Sequence, residues 1–269
     1  MQTSGERAGE NWEAYPQAPH SSLIIRGDIM HRITRWLLAV LFAGFTLPAL
    51  TQDMVAASPS LVSVAFENDR MRVLLVRYGP HDKIGMHSHT PGCGVNLATG
   101  HINNFLPDGS TKEVSYQAGD VFWREQTVHA VENLGDNLIT NIEIELKNTA
   151  EPGVPVSGQA APAGLREPLP AQWEPHHKIR YENQYVRILE INLAPGESTT
   201  SYHYSGETLT VMLTLARLKQ QGPEAEWQQQ PEIAAEAVRF DDAAHSSANR
   251  RSMNTGPAAV RMIVFEFLR

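Results

Sequence analysis

Residues 66–80, FENDRMRVLLVRYGP, align without a gap on residues 181–195, YENQYVRILEINLAP, at an offset of 115. A second pair, ENLGDNLITNIEIEL at 132–146 and MNTGPAAVRMIVFEF at 253–267, aligns more loosely at an offset of 121. A chain that repeats itself at this spacing builds one unit of ~80–100 residues twice, and 269 residues accommodate both copies. The wider segment 219–231 of the second copy absorbs the difference between the two offsets.

Within each copy the apolar runs are short and closely spaced. Met71–Tyr78, Lys112–Tyr116, Asp120–Trp123 and Asn141–Leu146 lie in the first, and Val186–Leu193, Leu209–Leu215 and Arg261–Leu268 in the second. Turn residues such as Pro107-Asp108-Gly109 and Gly135-Asp136 separate them, and 17 prolines and 19 glycines punctuate the chain. This pattern predicts an all-β sandwich or barrel. Residues 149–175 hold six prolines and little periodicity, so they read as a linker or strap. Two domains follow, 58–148 and 176–269.

The first 57 residues read differently. A basic start at Met30 (MHRITR) leads into the 15-residue apolar run Trp36–Leu50 and a small-residue exit. That is the form of a secretory signal peptide, since a membrane span needs about 20 apolar residues. Cleavage is expected after Thr51 or after Ala57, with residues 1–29 an upstream extension. The competing reading is a tail followed by an uncleaved anchor. Cleavage implies a periplasmic or secreted protein with no stable membrane span. Net charge −8 leaves no basic stripe for phosphates, which argues against nucleic-acid binding. The single cysteine, Cys93, excludes internal disulfides and Cys-based zinc fingers.

Chemistry concentrates in the histidines. In Gly85-Met86-His87-Ser88-His89 the two imidazoles share one face of a strand, because side chains alternate with period 2. Downstream, Gly119-Asp120-Val121-Phe122-Trp123 is a turn and strand, and His129 on the next strand can return a third imidazole to that face. Three neutral imidazoles with open positions left over suit a divalent transition metal.

These motifs resemble the cupin superfamily. His87-Ser88-His89 and Gly100 match its first motif, and Gly119, His129 and Asn133 its second. The resemblance is good over 61–148 and fainter over 176–269, and it implies two tandem cupin-type jelly-roll β-barrels. It also implies metal ligation by His87, His89 and His129. The departures are informative. Cys93 stands in the slot of the usual Glu ligand, and cupins with three His and no Glu include thiol dioxygenases and β-diketone-cleaving enzymes. Cys93 is then a fourth ligand, a redox-active neighbour or a small buried residue. Glu125-Gln126-Thr127 replaces the usual Pro-x-Gly turn, which makes Glu125 and Gln126 candidates for the pocket or for an exposed turn. Phe105, Phe122 and Trp123 are candidate apolar walls, and His101 a neighbour of the site or a surface residue. The second copy has Tyr202, Tyr204 and Arg250 where ligands should be, so it reads as degenerate.

The resemblance implies a metal-dependent enzyme, first of all a non-haem Fe(II) dioxygenase acting on a small chelating substrate. Mn, Ni, Cu or Zn are alternative metals. Two further readings stand beside it: a non-catalytic cupin that binds or senses a small molecule or the metal, and a structural bicupin with vestigial histidines. Family habit also points to a homodimer.

Overall fold

The computed structural model describes residues 52–147, 168–223 and 225–268. The expected signal peptide up to residue 51 and most of the proline-rich strap lie outside the described residues. The described chain is almost entirely β, as the sequence predicts, and none of its helices is long and apolar enough to cross a membrane.

The first copy comprises β1 (Gln52–Asp53), α1 (Met54–Ala57), β2 (Val62–Glu67), β3 (Met71–Tyr78), β4 (Lys83–His89), β5 (Gly92–Asn96), β6 (Gly100–Phe105), β7 (Thr111–Tyr116), β8 (Val121–Arg124), β9 (Thr127–Asn133) and β10 (Ile139–Leu146). They form two five-stranded sheets, ordered β1-β4-β9-β6-β7 and β2-β3-β10-β5-β8. The folded part therefore begins earlier than residue 58, since β1 pairs in parallel with β4 and Met54 is buried.

The second copy comprises β11 (Leu169–Pro170), the single 3-10 turn Ala171–Trp173, β12 (His177–Glu182), β13 (Val186–Leu193), β14 (Tyr202–His203), β15 (Thr208–Met212), β16 (Leu218–Gln221), β17 (Gln228–Gln229), β18 (Val238–Asp241), α2 (Ala243–Ser246), β19 (Arg251–Asn254) and β20 (Val260–Phe267). Its main sheet, β12-β13-β20-β15-β18, repeats the order of the second sheet of the first copy. The repeat extends to irregularities. The strand pair β2–β3 shifts register between Val64 and Phe66, and β12–β13 does so between Ile179 and Tyr181, again 115 residues on. Asn133 donates to the carbonyls of Gly79 and Asn137 and accepts from the Gly135 amide; Asn254 does the same with Leu193, Ala258 and Gly256.

Alternation along the strands sorts side chains between two environments. On β3, Met71 and Val73 face the second copy, whereas Leu74, Val76 and Tyr78 face inward between the two sheets of the first. On β10, Ile142, Ile144 and Leu146 pack against Val186, Ile188, Leu209, Val211, Ile263 and Phe265 of the second copy. This shared core joins the main sheets of both copies face to face, reinforced by stacking of Phe66 on Phe240 at 4.7 Å between ring centroids. Fully burying a side chain such as Ile144 or Phe265 contributes about 1.5–3 kcal/mol.

Candidate metal centre

His87 and His89 lie on β4 and His129 on the neighbouring β9, with His87 directly opposite His129 in the ladder. Strand period 2 puts His87 and His89 on the inward face, where they are 0% and 3% exposed. Their rings converge. His87 Nε2 is 2.8 Å from His89 Nε2, and His129 Nε2 is 3.2 Å from the same atom.

The outer nitrogens fix which atoms face each other. Nδ1 of His87 lies 2.6 Å from the Gly85 carbonyl oxygen, Nδ1 of His89 2.9 Å from Glu145 Oε1, and Nδ1 of His129 2.9 Å from Asn104 Oδ1. All three partners are acceptors, so each Nδ1 carries the proton and each Nε2 turns a lone pair inward. Lone pairs aimed at one another repel unless a cation lies between them. Ligands on a first-row metal at ~2.1 Å, set roughly 90–109° apart, have nitrogens about 3.0–3.4 Å from each other. The His89–His129 spacing falls in that range, the His87–His89 spacing lies just under it, and all three ligand atoms are within 4.8 Å of one another, so the histidines could hold a metal ion. Burial pushes the His87 and His129 imidazoles toward the neutral form that metal binding needs, His129 to about 3.

The second sheet supplies charge from the opposite side. Glu143 and Glu145 alternate with isoleucines on β10, so both carboxylates point inward, 7% and 4% exposed. Glu145 Oε2 accepts from Arg72 at 2.9 Å (Nε) and 2.5 Å (Nη2), while its Oε1 holds His89. Arg72 also pairs with Asp53. Glu143 accepts from Arg124 Nη1 at 2.6 Å. Burial alone would raise its pKa, but the Arg124 guanidinium outweighs this and holds it at about 2.

His129 and Glu143 open into a cavity of about 570 Å³ between the sheets, a size suited to a small molecule. Val76, Ile84, Ile102, Phe122 and Val131 form apolar walls, and Asn96, Asn104, Asn141, Tyr78 and Tyr116 add polar atoms. Gly94 makes room for the Phe122 ring, which lies 2.5 Å from where a β-carbon would sit. Burial raises the Tyr78 and Tyr116 phenols, so they act as donors.

Several sequence-based candidates lie elsewhere. Cys93 occupies the opposite parity of β5 from the cavity-facing Asn96, fully buried in the core shared with the second copy; it is neither ligand nor redox neighbour. Trp123 contributes to the cavity rim, but its ring stacks on Tyr181 and Tyr185 of the second copy. Glu125 is exposed and accepts from the Trp123 indole, and Gln126 is an exposed turn residue. Phe105 follows the cavity-lining Asn104 on β6, and its ring lies beneath the Lys83 ammonium instead of in the cavity. His101 pairs with Glu113 on the surface. Glu143, Glu145 and Arg124 were not foreseen.

In the second copy Tyr202 bridges Arg250 across the ladder, as His87 does His129. Arg250 bonds the His245 carbonyl, Tyr202 contacts Ser252, and Tyr204 meets His177 at 3.3 Å. His177 is buried on Glu174. Among the described residues, no group of metal-binding side chains gathers here.

No family model and no curated protein matches the sequence. Among solved structures, AerE from Microcystis aeruginosa is similar at TM-score 0.55 and 14% identity, covering 78% of this chain and 94% of its own. A cupin 2 conserved barrel domain protein from Leptotrichia buccalis is similar at TM-score 0.45 and 11% identity, with 77% and 88% covered. Oxalate decarboxylase from Lactobacillus farciminis follows at 0.49 and 12%, with 74% and 77% covered. The likeness is one of fold alone, and the structural neighbours are cupin-domain proteins.

Proposed function

We propose that this chain is a two-barrel cupin enzyme whose first barrel binds a catalytic metal through His87, His89 and His129, and that it is a non-haem dioxygenase of a small chelating substrate. Fe(II) is the first choice of metal, with Mn, Ni, Cu and Zn as alternatives. The observation that carries the reading is the convergence of three Nε2 lone pairs, each fixed by an acceptor behind it, at the end of a 570 Å³ cavity. A metal held there would polarise a chelating substrate and bring it into register with O2.

The chain's own residues divide the remaining work. Asn104 and Glu145 orient His129 and His89. Glu143, kept ionised by Arg124, is a fixed acceptor for a substrate hydroxyl or enol, while Tyr78 and Tyr116 supply phenolic donors. The apolar walls exclude water and select a ligand with a polar, chelating end and an apolar body. The second barrel, with tyrosines and an arginine in place of ligands, is a structural partner. The upstream signal sequence accords with work outside the cytoplasm.

Elemental analysis of the purified protein beside His87→Ala/His89→Ala tests the site, and O2 consumption by the Fe(II)-loaded protein on thiols, β-diketones, phenols and flavonols tests the chemistry. Stoichiometric metal lost in the variant, with turnover of one class, is expected. Metal retained in the variant overturns the site. Metal lost in the variant with no O2 consumption across the panel overturns the dioxygenase reading in favour of a binding or sensing role.

A further inference from the structure

We propose that the segment Gln52–Ser58, which the sequence places at the exit of the signal peptide, is a working part of the metal centre: it docks on the ligand-bearing strand, and metal binding and docking stabilise each other. This rests on the metal reading above and adds a positioning residue, Asp53, to it.

Four contacts carry the inference. The backbone of Gln52–Asp53 runs parallel to β4 and pairs Gln52 with His87 and Asp53 with Ser88, so the segment lies against the stretch between the two strand ligands. Asp53 bonds Arg72, Arg72 bonds Glu145, and Glu145 bonds Nδ1 of His89, an unbroken chain of charge from the segment to a ligand. Met54 is 2% exposed and lines the cavity. Ser58 Oγ faces the amide of Gly85 at 3.4 Å, and the carbonyl of Gly85 holds His87 Nδ1.

The second copy shows that the segment belongs to the repeated unit. There β11 pairs in parallel with β14, setting Leu169 against Tyr202, the counterpart of His87. Arg187, the counterpart of Arg72, bonds Glu266 and also reaches back to Gln172 beside β11. A strand that braces the ligand position from outside, with a polar link to the central arginine, is thus present twice. Of the two cleavage points the sequence offers, one after Ala57 removes this brace and one after Thr51 leaves it whole.

The coupling is reciprocal by thermodynamic necessity: whatever factor the docked segment adds to metal affinity, bound metal adds to docking. Asp53→Ser separates the two jobs of Asp53. Its hydroxyl still caps the Val55 and Ala56 amides, as Asp53 Oδ1 does, but is too short to reach Arg72. Changes to groups that orient metal ligands typically cost 10–100-fold in affinity; acting through two intermediaries, Asp53→Ser is expected to weaken Co(II) binding about three- to tenfold. Co(II) affinity is read from its d–d absorption in competition with a chelator. Hydrogen exchange of the 53–58 amides, followed by mass spectrometry in wild-type protein with and without Co(II), reads the reverse direction and needs no variant. Slower exchange with Co(II), absent in His87→Ala/His89→Ala, is expected. Wild-type protein that binds no Co(II) overturns both this inference and the metal centre. Wild-type binding with either an unchanged affinity in Asp53→Ser or unchanged exchange at 53–58 overturns this inference alone.

Discussion

Glu145→Gln isolates the role of the carboxylate behind the metal site, because the repeat supplies its own control. Glu145 serves two donors: Oε2 takes Arg72 and Oε1 takes His89. A glutamine keeps the shape but has one oxygen, so it can serve only one of them, and its NH2 then faces the other donor. Losing a hydrogen bond to a charged group costs about 1.5–3 kcal/mol, which sets the expected loss of folding stability. If His89 loses its acceptor, Nδ1 is no longer fixed and metal affinity should fall about 10–100-fold, or 1.4–2.7 kcal/mol. Glu266 holds the same place in the second copy, accepting from Arg187 at 2.8 Å and from Ser205 Oγ at 2.6 Å with no histidine attached. Glu266→Gln should therefore cost comparable stability and leave metal affinity unchanged. Denaturant unfolding of the metal-free proteins gives the first quantity and chelator competition the second. Equal metal affinity in wild type and Glu145→Gln, or an equal drop in both variants, would refute the argument that Glu145 acts through His89.

Glu174 is buried and accepts from His176, His177 and the Thr200 amide. Burial opposes its charge, but the His177 and His176 bonds outweigh that and hold it at about 2 against an ordinary 4.5. A depressed carboxylate stabilises the fold above its unfolded pKa and loses that contribution as pH falls toward 2, a span worth at most about 3 kcal/mol before solvent screening is allowed for. Glu174→Gln should flatten the stability profile between pH 4.5 and 2; an unaltered acid limb refutes the assignment. Cys93 lies fully buried between the copies, its thiol pushed up by burial. Native protein should resist thiol reagents until unfolded, and Cys93→Ser, which buries an unpaired hydroxyl, should cost about 1–3 kcal/mol without changing metal content; rapid labelling of the folded protein, or metal loss in the variant, would place Cys93 back at the site.

The repeat was legible to the residue where the strands are regular. The offset of 115 matches β3 to β13, whose burial patterns are identical along all eight positions, and the offset of 121 matches His129 to Arg250, each bridged to the counterpart of the other's partner. The histidines were legible because H-x-H on a strand puts both imidazoles on one face. Glu143 and Glu145 were not. Their alternation with isoleucine in NIEIEL has the period of a strand with one wet face. Period alone cannot tell bulk water from a polar cavity, and here the acidic face looks into the sandwich while the isoleucines meet the second copy. Cys93 misled for the complementary reason. Motif spacing put it at a ligand slot, but the residue pairs with Trp123 and Ile144, and strand parity turns all three toward the shared core. Phe105 failed by the same one-residue step beside Asn104.

The two copies keep one frame and differ in whether its centre is satisfied from within. Arg72 with Glu145 and Arg187 with Glu266 tie strand three to strand ten of each unit, and Asn133 and Asn254 close the same turn. In the second unit the polar atoms at the ligand positions find partners in the protein: Tyr204 with His177, Tyr202 with Ser252, and Arg250 with a backbone carbonyl. That centre has no need of an outside group. In the first unit every outward nitrogen is satisfied and the three inward ones are left facing each other, buried, at 2.8 and 3.2 Å. His89 Nε2 is common to both contacts, and burial resists placing charge on His129. A metal bound there would stabilise the first unit by RT ln(1 + [L]/Kd), about 4 kcal/mol at a thousandfold excess over Kd. Raised unfolding midpoints on adding metal should accordingly disappear in His87→Ala/His89→Ala and survive Tyr202→Phe/Arg250→Leu; a metal shift that depends on the second unit instead would invert the assignment of which half works and which half supports.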